Sequence, residues 1–374
     1  MRKIAQLIIL VFTTMYLLSC SAKTTEILNL KDAYAGLFKI GTALDSAQIE
    51  GADTAAIRVV TTHFNSIVAE NCMKPEVIQA TEGNFDFRLA DKFVAFGERN
   101  KMKIIGHTLV WHSQTPDWFF KNADGQNVSR EILIERMRNH ITTLVSRYKG
   151  RVKGWDVVNE ALNEDGTLRK SLWFEIIGPD FIKFAFQFAH AADPKAELYY
   201  NDYNLYKPEK RMGVVTLIKS LKASGCRIDA IGEQAHYGLG QDILAEIDKS
   251  ILAFSDEKVK VMITELDISV LPFPAEEITA DVSLKYQNSA IYNPYPISLP
   301  DSIQQKVNNY YQSLFSIYRK HHHVIDRVTF WGVNDAQSWR NYWPIHDRTD
   351  YPLLFDRNNK PKSVVQKLIE LKKI

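Results

Sequence analysis

The sequence predicts a closed barrel of eight parallel strands alternating with helices, a (β/α)8 fold. From residue 37 onward, short apolar or β-branched runs recur with amphipathic segments between them, and nearly every run ends in polar residues. The 374 residues are 45% hydrophobic and 24% charged, which is enough to bury a large core. Closed α/β barrels of this length commonly form one domain, so we expect a single domain over residues 31–374.

The predicted strands follow one another in order along the chain. They are 37–44, 65–70, 103–111, 152–160, 197–204, 230–237, 259–268 and 327–333. Between them, segments such as 131–148 and 212–225 carry apolar residues at helical spacing. The second segment closes on Gly225, a residue type that often ends a helix. This alternation predicts a parallel sheet closed into a barrel.

Polar side chains stand at or near the ends of six predicted strands. They are Glu70, His107, Glu160, Asn201, Gln234 with His236, and Glu265. In a (β/α)8 barrel the carboxyl ends of the strands meet at one face, and that face carries the active site. We therefore predict a site there. The alternative, in which these residues cap unrelated strands, would not explain polar groups at so many corresponding positions.

The N-terminus has the pattern of an export signal. Two basic residues precede an apolar run at 4–18, which is too short to span a bilayer comfortably but fits a signal peptide. The run ends in LLSC, which resembles the bacterial lipobox, so we expect lipidation of Cys20. The alternative is an ordinary signal peptide with an incidental cysteine. We expect a lipoprotein signal peptide over 1–19, a tether over 20–30, and an exported protein anchored at the outer membrane or cell surface.

Composition argues against several other classes of partner. The formal net charge is only +2, so nucleic acid is not an expected ligand. Cys72 and Cys226 are too few for a disulfide framework and lack the spacing of metal ligands. The histidines at 321–323 cannot all face one ion in regular structure, so we predict no metal and no cofactor. Nothing in the sequence requires a partner subunit, and we expect a monomer.

Two glutamates at strand ends are candidates for acid–base chemistry. Glu160 and Glu265 end the fourth and seventh predicted strands, and only the barrel would bring them together. Most glycosidases use two carboxyl groups that flank the bond to be cleaved. Side chains alternate along a strand, so Asn159 and Glu160 reach the same side only if the strand bends between them. Otherwise Asn159 simply begins a loop.

Seven motifs, in register, resemble those of glycoside hydrolase family 10, the retaining endo-β-1,4-xylanases. They are AENCMK (69–74), HTLVWHSQTPDW (107–118), WDVVNE (155–160), GEQAHY (232–237), ITELDI (263–268), TFWGVNDAQSWR (329–340) and PLLFD (352–356). The resemblance implies a (β/α)8 barrel that hydrolyses internal β-1,4 bonds of xylan with retention of configuration. It implies xylan and xylo-oligosaccharides as ligands. Retention would place the two catalytic carboxyl groups about 5–5.5 Å apart.

The resemblance also implies roles for individual residues. Glu160 would be the general acid/base, Glu265 the nucleophile, and Asn159 a ligand of the sugar 2-hydroxyl. His236 would support Glu265 and be oriented by Asp267. The implied substrate-binding residues are Glu70, Asn71, Lys74 and Gln114 at the distal xylose, His107, Trp111, Asn159, Gln234, Trp331 and Trp339 around the ring being cleaved, and Tyr203 on the leaving-group side. Trp331 falls within a predicted strand and could instead be a core residue.

Some alternatives remain open at this point. Cys72 stands where the family commonly has a larger polar residue, which bears on the distal sugar site. The Pro- and Tyr-rich segment 271–300 either shapes the leaving-group side or only covers the barrel rim. The protein could also be a barrel glycosidase for another β-linked glycan, or a non-catalytic glycan-binding lipoprotein. Both glutamates, with His236 and Asp267, argue against a binding module, which needs no second carboxylate.

Overall fold

The computed structural model describes residues 29–371, which are organised around a ring of parallel strands. The predicted signal peptide, Cys20 and all but the last two residues of the predicted tether lie outside the described residues. Within 29–371, none of the helices has the length and apolar character needed to cross a bilayer.

The ring consists of eight parallel strands and is closed. The described residues contain these eight strands and a short ninth, β7, which follows β6 and pairs only with β8. The strands are β1 Lys39–Leu44, β2 Ser66–Ala69, β3 Lys103–Trp111, β4 Gly154–Asn159, β5 Glu197–Asp202, β6 Ala230–Glu233, β7 His236–Gly238, β8 Lys260–Ser269 and β9 Ile325–Phe330. Neighbours follow the order β6-β5-β4-β3-β2-β1-β9-β8, and pairing of β6 with β8 closes the barrel. The predicted (β/α)8 fold is confirmed.

Helices cover the outside of the ring. They are Leu30–Ala33, Ser46–Glu50, Thr54–His63, Pro75–Ile78, Arg88–Arg99, Arg130–Arg147, Leu172–Ile177, Phe181–Ala192, Pro208–Ala223, Leu244–Asp256, Asp301–Lys320 and Ser363–Leu371, with 3-10 turns at Asp117–Phe119, Ala290–Tyr292 and Trp339–Asn341. Local signals set several boundaries. Pro208 occupies the first turn of its helix, where its missing N–H costs nothing, and Gly225 takes a left-handed conformation with φ +75° just after that helix.

The core has two layers, one inside the barrel and one between the strands and the helices. The inner layer contains Ala43, Val68, Ile105, Tyr199, Ala230, Met262 and Trp331. The larger outer layer includes Trp155, whose ring lies directly against Gly106. A Cβ at Gly106 would stand 2.1 Å from that ring, so the close approach requires glycine. The first residue of WDVVNE therefore packs outward and anchors the strand that carries Glu160.

The sixth predicted strand differs from the expectation of one continuous run. It is broken between β6 and β7 at Gln234 and Ala235, and Ala235 has φ +64°. A second break follows β4, where Glu160 has φ +55°. Such left-handed residues interrupt the alternation of side chains along a strand. Both breaks lie at the barrel mouth. Trp331 was expected within a strand, but β9 ends one residue earlier.

Candidate active site

A cavity of about 220 Å³ opens at the carboxyl ends of the strands. It is lined by Glu70, Asn71, Lys74, His107, Trp111, Gln114, Asn159, Glu160, Gln234, His236, Glu265, Ala280, Val282, Trp331 and Trp339. Of the predicted site residues, Asp267 and Tyr203 are not among these. Asp267 is buried behind His236, and Tyr203 is buried beside Arg169. The structure therefore brings together side chains from all parts of the chain, as the barrel requires.

Glu160 is buried in this cavity and accepts hydrogen bonds at both carboxyl oxygens. Trp111 Nε1 donates to Oε2 at 2.8 Å, and Gln234 Nε2 donates to Oε1 at 2.9 Å. Burial raises the pKa of Glu160 above its ordinary value, and the negative charge of Glu265 adds to this rise. The two hydrogen bonds oppose the rise without cancelling it. A raised pKa keeps a carboxyl group protonated, as a general acid must be.

Asn159 and Glu160 both face the cavity, so the predicted break in side-chain alternation is present. Asn159 Nδ2 donates to Glu160 Oε1 at 3.1 Å, and Asn159 Oδ1 accepts from Asn201 Nδ2 at 2.8 Å. The left-handed φ of Glu160 accounts for this arrangement, because it turns the glutamate back toward the side that Asn159 already faces. The contact of Asn159 with a sugar hydroxyl stays a prediction.

Glu265 is surrounded by donors that favour its ionised form. His236 Nε2 donates to Oε2 at 3.2 Å, and Asn201 Nδ2 donates to Oε1 at 2.7 Å. Burial alone would raise the pKa of Glu265, but the hydrogen bond from His236 and the nearby positive charges outweigh it, and the pKa is lowered. Glu265 and Glu160 therefore share one cavity with pKa values shifted in opposite directions.

His236 lies between Glu265 and Asp267. Its Nδ1 is 3.0 Å from Asp267 Oδ2, an ion-pair distance. Burial opposes protonation of His236, but the charge of Asp267 and the contacts with both carboxylates raise its pKa overall. The predicted Asp–His–Glu arrangement is therefore present in the structure, and it favours the positively charged form of His236 beside Glu265.

Asp267 is in turn held by two residues of the loop after β9. Arg340 donates to Oδ1 through Nε at 3.1 Å and Nη2 at 2.9 Å, and Trp339 Nε1 donates to Oδ2 at 2.7 Å. Burial alone would raise the pKa of Asp267, but the charges of Arg340 and His236 lower it to about 2. The Arg340 guanidinium also lies 4.7 Å from the Trp339 ring. Trp339 therefore lines the cavity and also hydrogen-bonds Asp267, the partner of His236 beside Glu265.

The far end of the cavity carries polar groups suited to sugar hydroxyls. Lys74 Nζ donates to Asn71 Oδ1 at 2.9 Å and to Gln114 Oε1 at 2.8 Å, and it lies 5.1 Å from the Trp111 ring. Burial raises the pKa of Glu70 to about 7. Cys72 is buried in the hydrophobic core and does not line the cavity, so this departure from the expected pattern does not alter the cavity wall directly.

Aromatic rings and the long loop after β8 form the remaining walls. Trp331 packs edge-to-face on His107 with centroids 5.2 Å apart, and Trp339 stacks on Trp343 at 4.5 Å. Trp331 belongs to the inner core and also lines the cavity, so its core position is confirmed, while its contact with the sugar stays a prediction. Ala280 and Val282 bring the 271–300 segment to the cavity, which favours a role in shaping the site over mere coverage of the rim.

The whole described chain matches a known family. The profile of Glycosyl hydrolase family 10 matches residues 29–371. The chain belongs to glycosyl hydrolase family 10. It is 50% identical over 342 residues to endo-1,4-beta-xylanase A of Xylanibacter ruminicola, covering 91% of this chain and 93% of that protein. It is 40% identical over 356 residues to endo-1,4-beta-xylanase of Geobacillus stearothermophilus, covering 93% and 99%.

Solved structures agree with this membership of family 10. A GH10 endoxylanase retrieved from a sugarcane soil metagenome superposes with a TM-score of 0.88 at 45% identity, covering 91% of this chain and 99% of that one. A mutant structure in complex with xylotriose superposes with a TM-score of 0.83 at 35% identity, covering 92% and 99%.

Three further residues support the site through contacts that the sequence did not predict. Asn201 joins Asn159 to Glu265, and its position at a strand end was the available signal. Asp156 Oδ2 lies 3.0 Å from His107 Nδ1 and orients that ring. Arg340 pairs with Asp267, 73 positions away in sequence. The chain gave no local signal for this last contact.

The described residues of this family 10 protein contain no cluster of the kind that holds a metal ion. Over 29–371, no three His, Cys, Asp or Glu side chains are grouped so as to hold an ion. Cys72 and Cys226 are buried free thiols, as expected.

Proposed function

We propose that the protein is a retaining endo-β-1,4-xylanase in which Glu160 is the general acid/base and Glu265 the nucleophile. One observation carries this assignment. Two buried glutamates face the same cavity, and their surroundings raise the pKa of Glu160 while lowering that of Glu265. A retaining glycosidase needs this pairing of one protonated and one ionised carboxyl group.

The reaction follows from these two protonation states. Glu265 attacks the anomeric carbon, and the bond to the leaving sugar breaks as Glu160 gives its proton to the glycosidic oxygen. A covalent glycosyl–enzyme forms, and Glu160 is left ionised. Glu160 then takes a proton from water, whose oxygen attacks the anomeric carbon and releases Glu265. Two inversions give net retention.

Protein groups would stabilise charge at each stage. His236, held positive by Asp267, offsets the negative charge of Glu265 before attack and after its release. Asn159 would bond the sugar 2-hydroxyl, a contact that strengthens as positive charge develops on the ring. Trp331 and Trp339 would contact the apolar faces of the sugar. A non-catalytic binding module would not need His236 and Asp267 beside the Glu265 carboxylate. Their presence argues against the non-catalytic alternative.

Xylan is the substrate that the site and the relatives support best. Two relatives at 40–50% identity are named as endo-1,4-beta-xylanases, and a similar solved structure contains xylotriose. The polar cluster of Glu70, Asn71, Lys74 and Gln114 would bind the next xylose on the non-reducing side. Product analysis on xylan, arabinoxylan and a soluble cellulose derivative distinguishes xylan from another β-linked glycan. Equal activity on the cellulose derivative would contradict the xylan assignment.

Replacing Glu160 with alanine tests the acid/base assignment. The variant should lose roughly 10²–10⁴-fold in kcat/KM on xylan, whose sugar leaving group needs protonation. It should lose far less in kcat/KM on an aryl β-xylobioside with an activated leaving group. Equal losses on the two substrates would mean that Glu160 is not the acid. Addition of azide, which needs no general base, should restore turnover of the aryl substrate and yield a β-glycosyl azide.

We also propose that the protein is an exported monomeric lipoprotein anchored through Cys20. The basic residues, the short apolar run and the LLSC sequence support export and lipidation. A lipid anchor at the end of a short tether would hold the barrel close to a membrane, at the outer membrane or cell surface. Light scattering of the purified catalytic domain would test the monomer.

A further inference from the structure

Directly after Glu160 the chain forms a short hairpin that returns at Arg169. Leu162 and Leu168 pair across this hairpin, and the Arg169 N–H donates to the Ala161 carbonyl oxygen at 2.8 Å. The hairpin therefore places Arg169 beside Glu160, the first residue after β4, even though nine positions separate the two.

The Arg169 guanidinium contacts three separate parts of the chain. Its Nε donates to the Glu160 carbonyl oxygen at 3.1 Å, and its Nη2 donates to the Tyr203 hydroxyl at 2.9 Å. Its Nη1 lies 3.6 Å from Asp281 Oδ2, and the two side chains are 20% and 25% exposed. Because a guanidinium presents its donors in one rigid plane, the three contacts constrain one another.

Asp281 belongs to the long loop after β8, at the point where that loop meets the cavity. Its neighbours Ala280 and Val282 both line the cavity. The same stretch is held from a second side, because Asn204 Nδ2 donates to the Ile278 carbonyl oxygen at 2.9 Å. The contact with Arg169 therefore connects a wall of the cavity to the backbone of Glu160.

Glu160 needs such support because its backbone is strained. A left-handed φ such as its +55° costs a residue other than glycine roughly 1–2 kcal/mol. Conformations of this kind persist only where the surroundings hold them. The Glu160 N–H donates to the Asn201 carbonyl oxygen at 2.9 Å, and the Glu160 carbonyl accepts from Arg169. Arg169 thus holds the carbonyl side of the strained residue.

We propose that Arg169 is a positioning residue that holds both the Glu160 carboxyl group and the cavity-lining segment around Asp281. The acid is then correctly placed only when that segment is also in place. Arg169 acts through Glu160 and touches no reacting atom. The inference rests on the proposed acid/base role of Glu160. It assigns to the 271–300 loop a part in protonating the leaving group, besides its part in the shape of the cavity.

Three variants and a matched control test this role. Arg169→Met removes all three contacts, Arg169→Lys keeps the charge without the planar fork, and Asp281→Asn removes only the charge on the loop. The control is Arg227→Met. Arg227 also donates to a backbone carbonyl, that of Pro194, and pairs with a carboxylate, that of Asp229, but it lies at the amino end of β6.

Arg169→Met should lower kcat/KM on xylan by roughly ten- to hundredfold, since a small misplacement of a catalytic group is that costly. On the activated aryl β-xylobioside the loss should stay below about threefold, because that leaving group needs no proton. Asp281→Asn should show the same selectivity to a smaller extent, and Arg227→Met should show none.

The pH profile gives a second readout. Burial raises the pKa of Glu160, and the charge of Arg169 partly offsets that rise. Arg169→Met should therefore move the alkaline limb of kcat/KM to higher pH. Arg169→Lys should leave the limb in place while still losing activity on xylan.

Equal losses on the two substrates with an unchanged pH profile would overturn the inference, because Arg169 would then only stabilise the fold. If Arg169→Met does not fold, Asp281→Asn and Arg169→Lys carry the same comparison. Glu160→Ala, measured alongside, separates this inference from the proposed function. If Glu160→Ala loses equal activity on xylan and on the aryl β-xylobioside, the acid/base role is refuted. If Glu160→Ala loses activity mainly on xylan but the Arg169 variants lose it equally on both substrates, only the positioning role is refuted.

Discussion

Replacing Arg340 with methionine should destabilise the protein by roughly 3–5 kcal/mol, because it leaves the Asp267 carboxylate buried without its strongest cationic partner. Asp267 is 0% exposed and Arg340 is 1% exposed. Two of the hydrogen bonds that Asp267 accepts come from this guanidinium. Methionine fills much of the same volume, so the loss measures mainly the charge and its hydrogen bonds.

The lowered pKa of Asp267 gives a second measure of how much its partners stabilise the folded protein. Its lowering from 3.8 to about 2 corresponds to roughly 2–3 kcal/mol at about 1.4 kcal/mol per pKa unit. Because the folded pKa is below the unfolded one, this stabilisation is fully present above about pH 4 and is lost as the pH falls through about 2. His236 and Trp339 remain as partners after the substitution, so we expect a value near the lower end of the range.

Urea unfolding at neutral pH, extrapolated linearly to water, measures the effect for Arg340→Met, Asp267→Asn and the double variant. The double variant should be more stable than the sum of the single losses predicts, by roughly 0.5–3 kcal/mol. Arg151→Met is the matched control, because Arg151 also donates two hydrogen bonds to one carboxylate, that of Glu98, but the side chains are 39% and 44% exposed. It should cost under about 1 kcal/mol. Equal losses in Arg340→Met and Arg151→Met, or strict additivity in the cycle, would refute the reasoning.

The remaining predictions concern catalysis and export. Glu265→Gln should abolish xylan hydrolysis while xylan binding persists in affinity electrophoresis, and normal turnover would end the assignment. The kcat/KM of the parent enzyme should be bell-shaped in pH, falling at acid pH as Glu265 becomes protonated and at alkaline pH as Glu160 loses its proton. Trp111→Phe removes a donor to Glu160, so the alkaline limb should move to higher pH, and a shift in the opposite direction would contradict the assigned bond. Cys20→Ala should abolish incorporation of labelled palmitate and release the enzyme from membranes, and unchanged labelling would exclude the anchor.

The carboxyl-end face and most of the cavity followed from the sequence because strand periodicity and polar strand ends are local signals. The break between Asn159 and Glu160 could also be anticipated, since two adjacent side chains with one target require it. The break at Ala235 could not be anticipated from the sequence. Alanine rarely adopts a positive φ, and the strand that follows, β7, pairs with β8, which is distant in sequence.

Contacts between distant residues were the least predictable part of the site. Arg340 and Asp267 lie 73 positions apart, and nothing near either residue indicates the other. Arg169 lies in the loop after β4, and only the hairpin brings it back to Glu160. Arg340 acts on Glu265 through Asp267 and His236, whereas Arg169 contacts the Glu160 backbone, and neighbouring residues in the sequence indicate neither role.

The bond from Trp339 to Asp267 limits how the enzyme could acquire a new substrate. Trp339 lines the cavity, so widening the cavity for a bulkier sugar would begin with a smaller residue at this position. The same change would remove the Nε1 donor that holds Asp267, and through His236 it would alter the acidity of Glu265. Broadening the specificity by single substitutions would therefore produce intermediate variants with lower activity. A successful redesign would have to supply a new N–H to Asp267 in the same step.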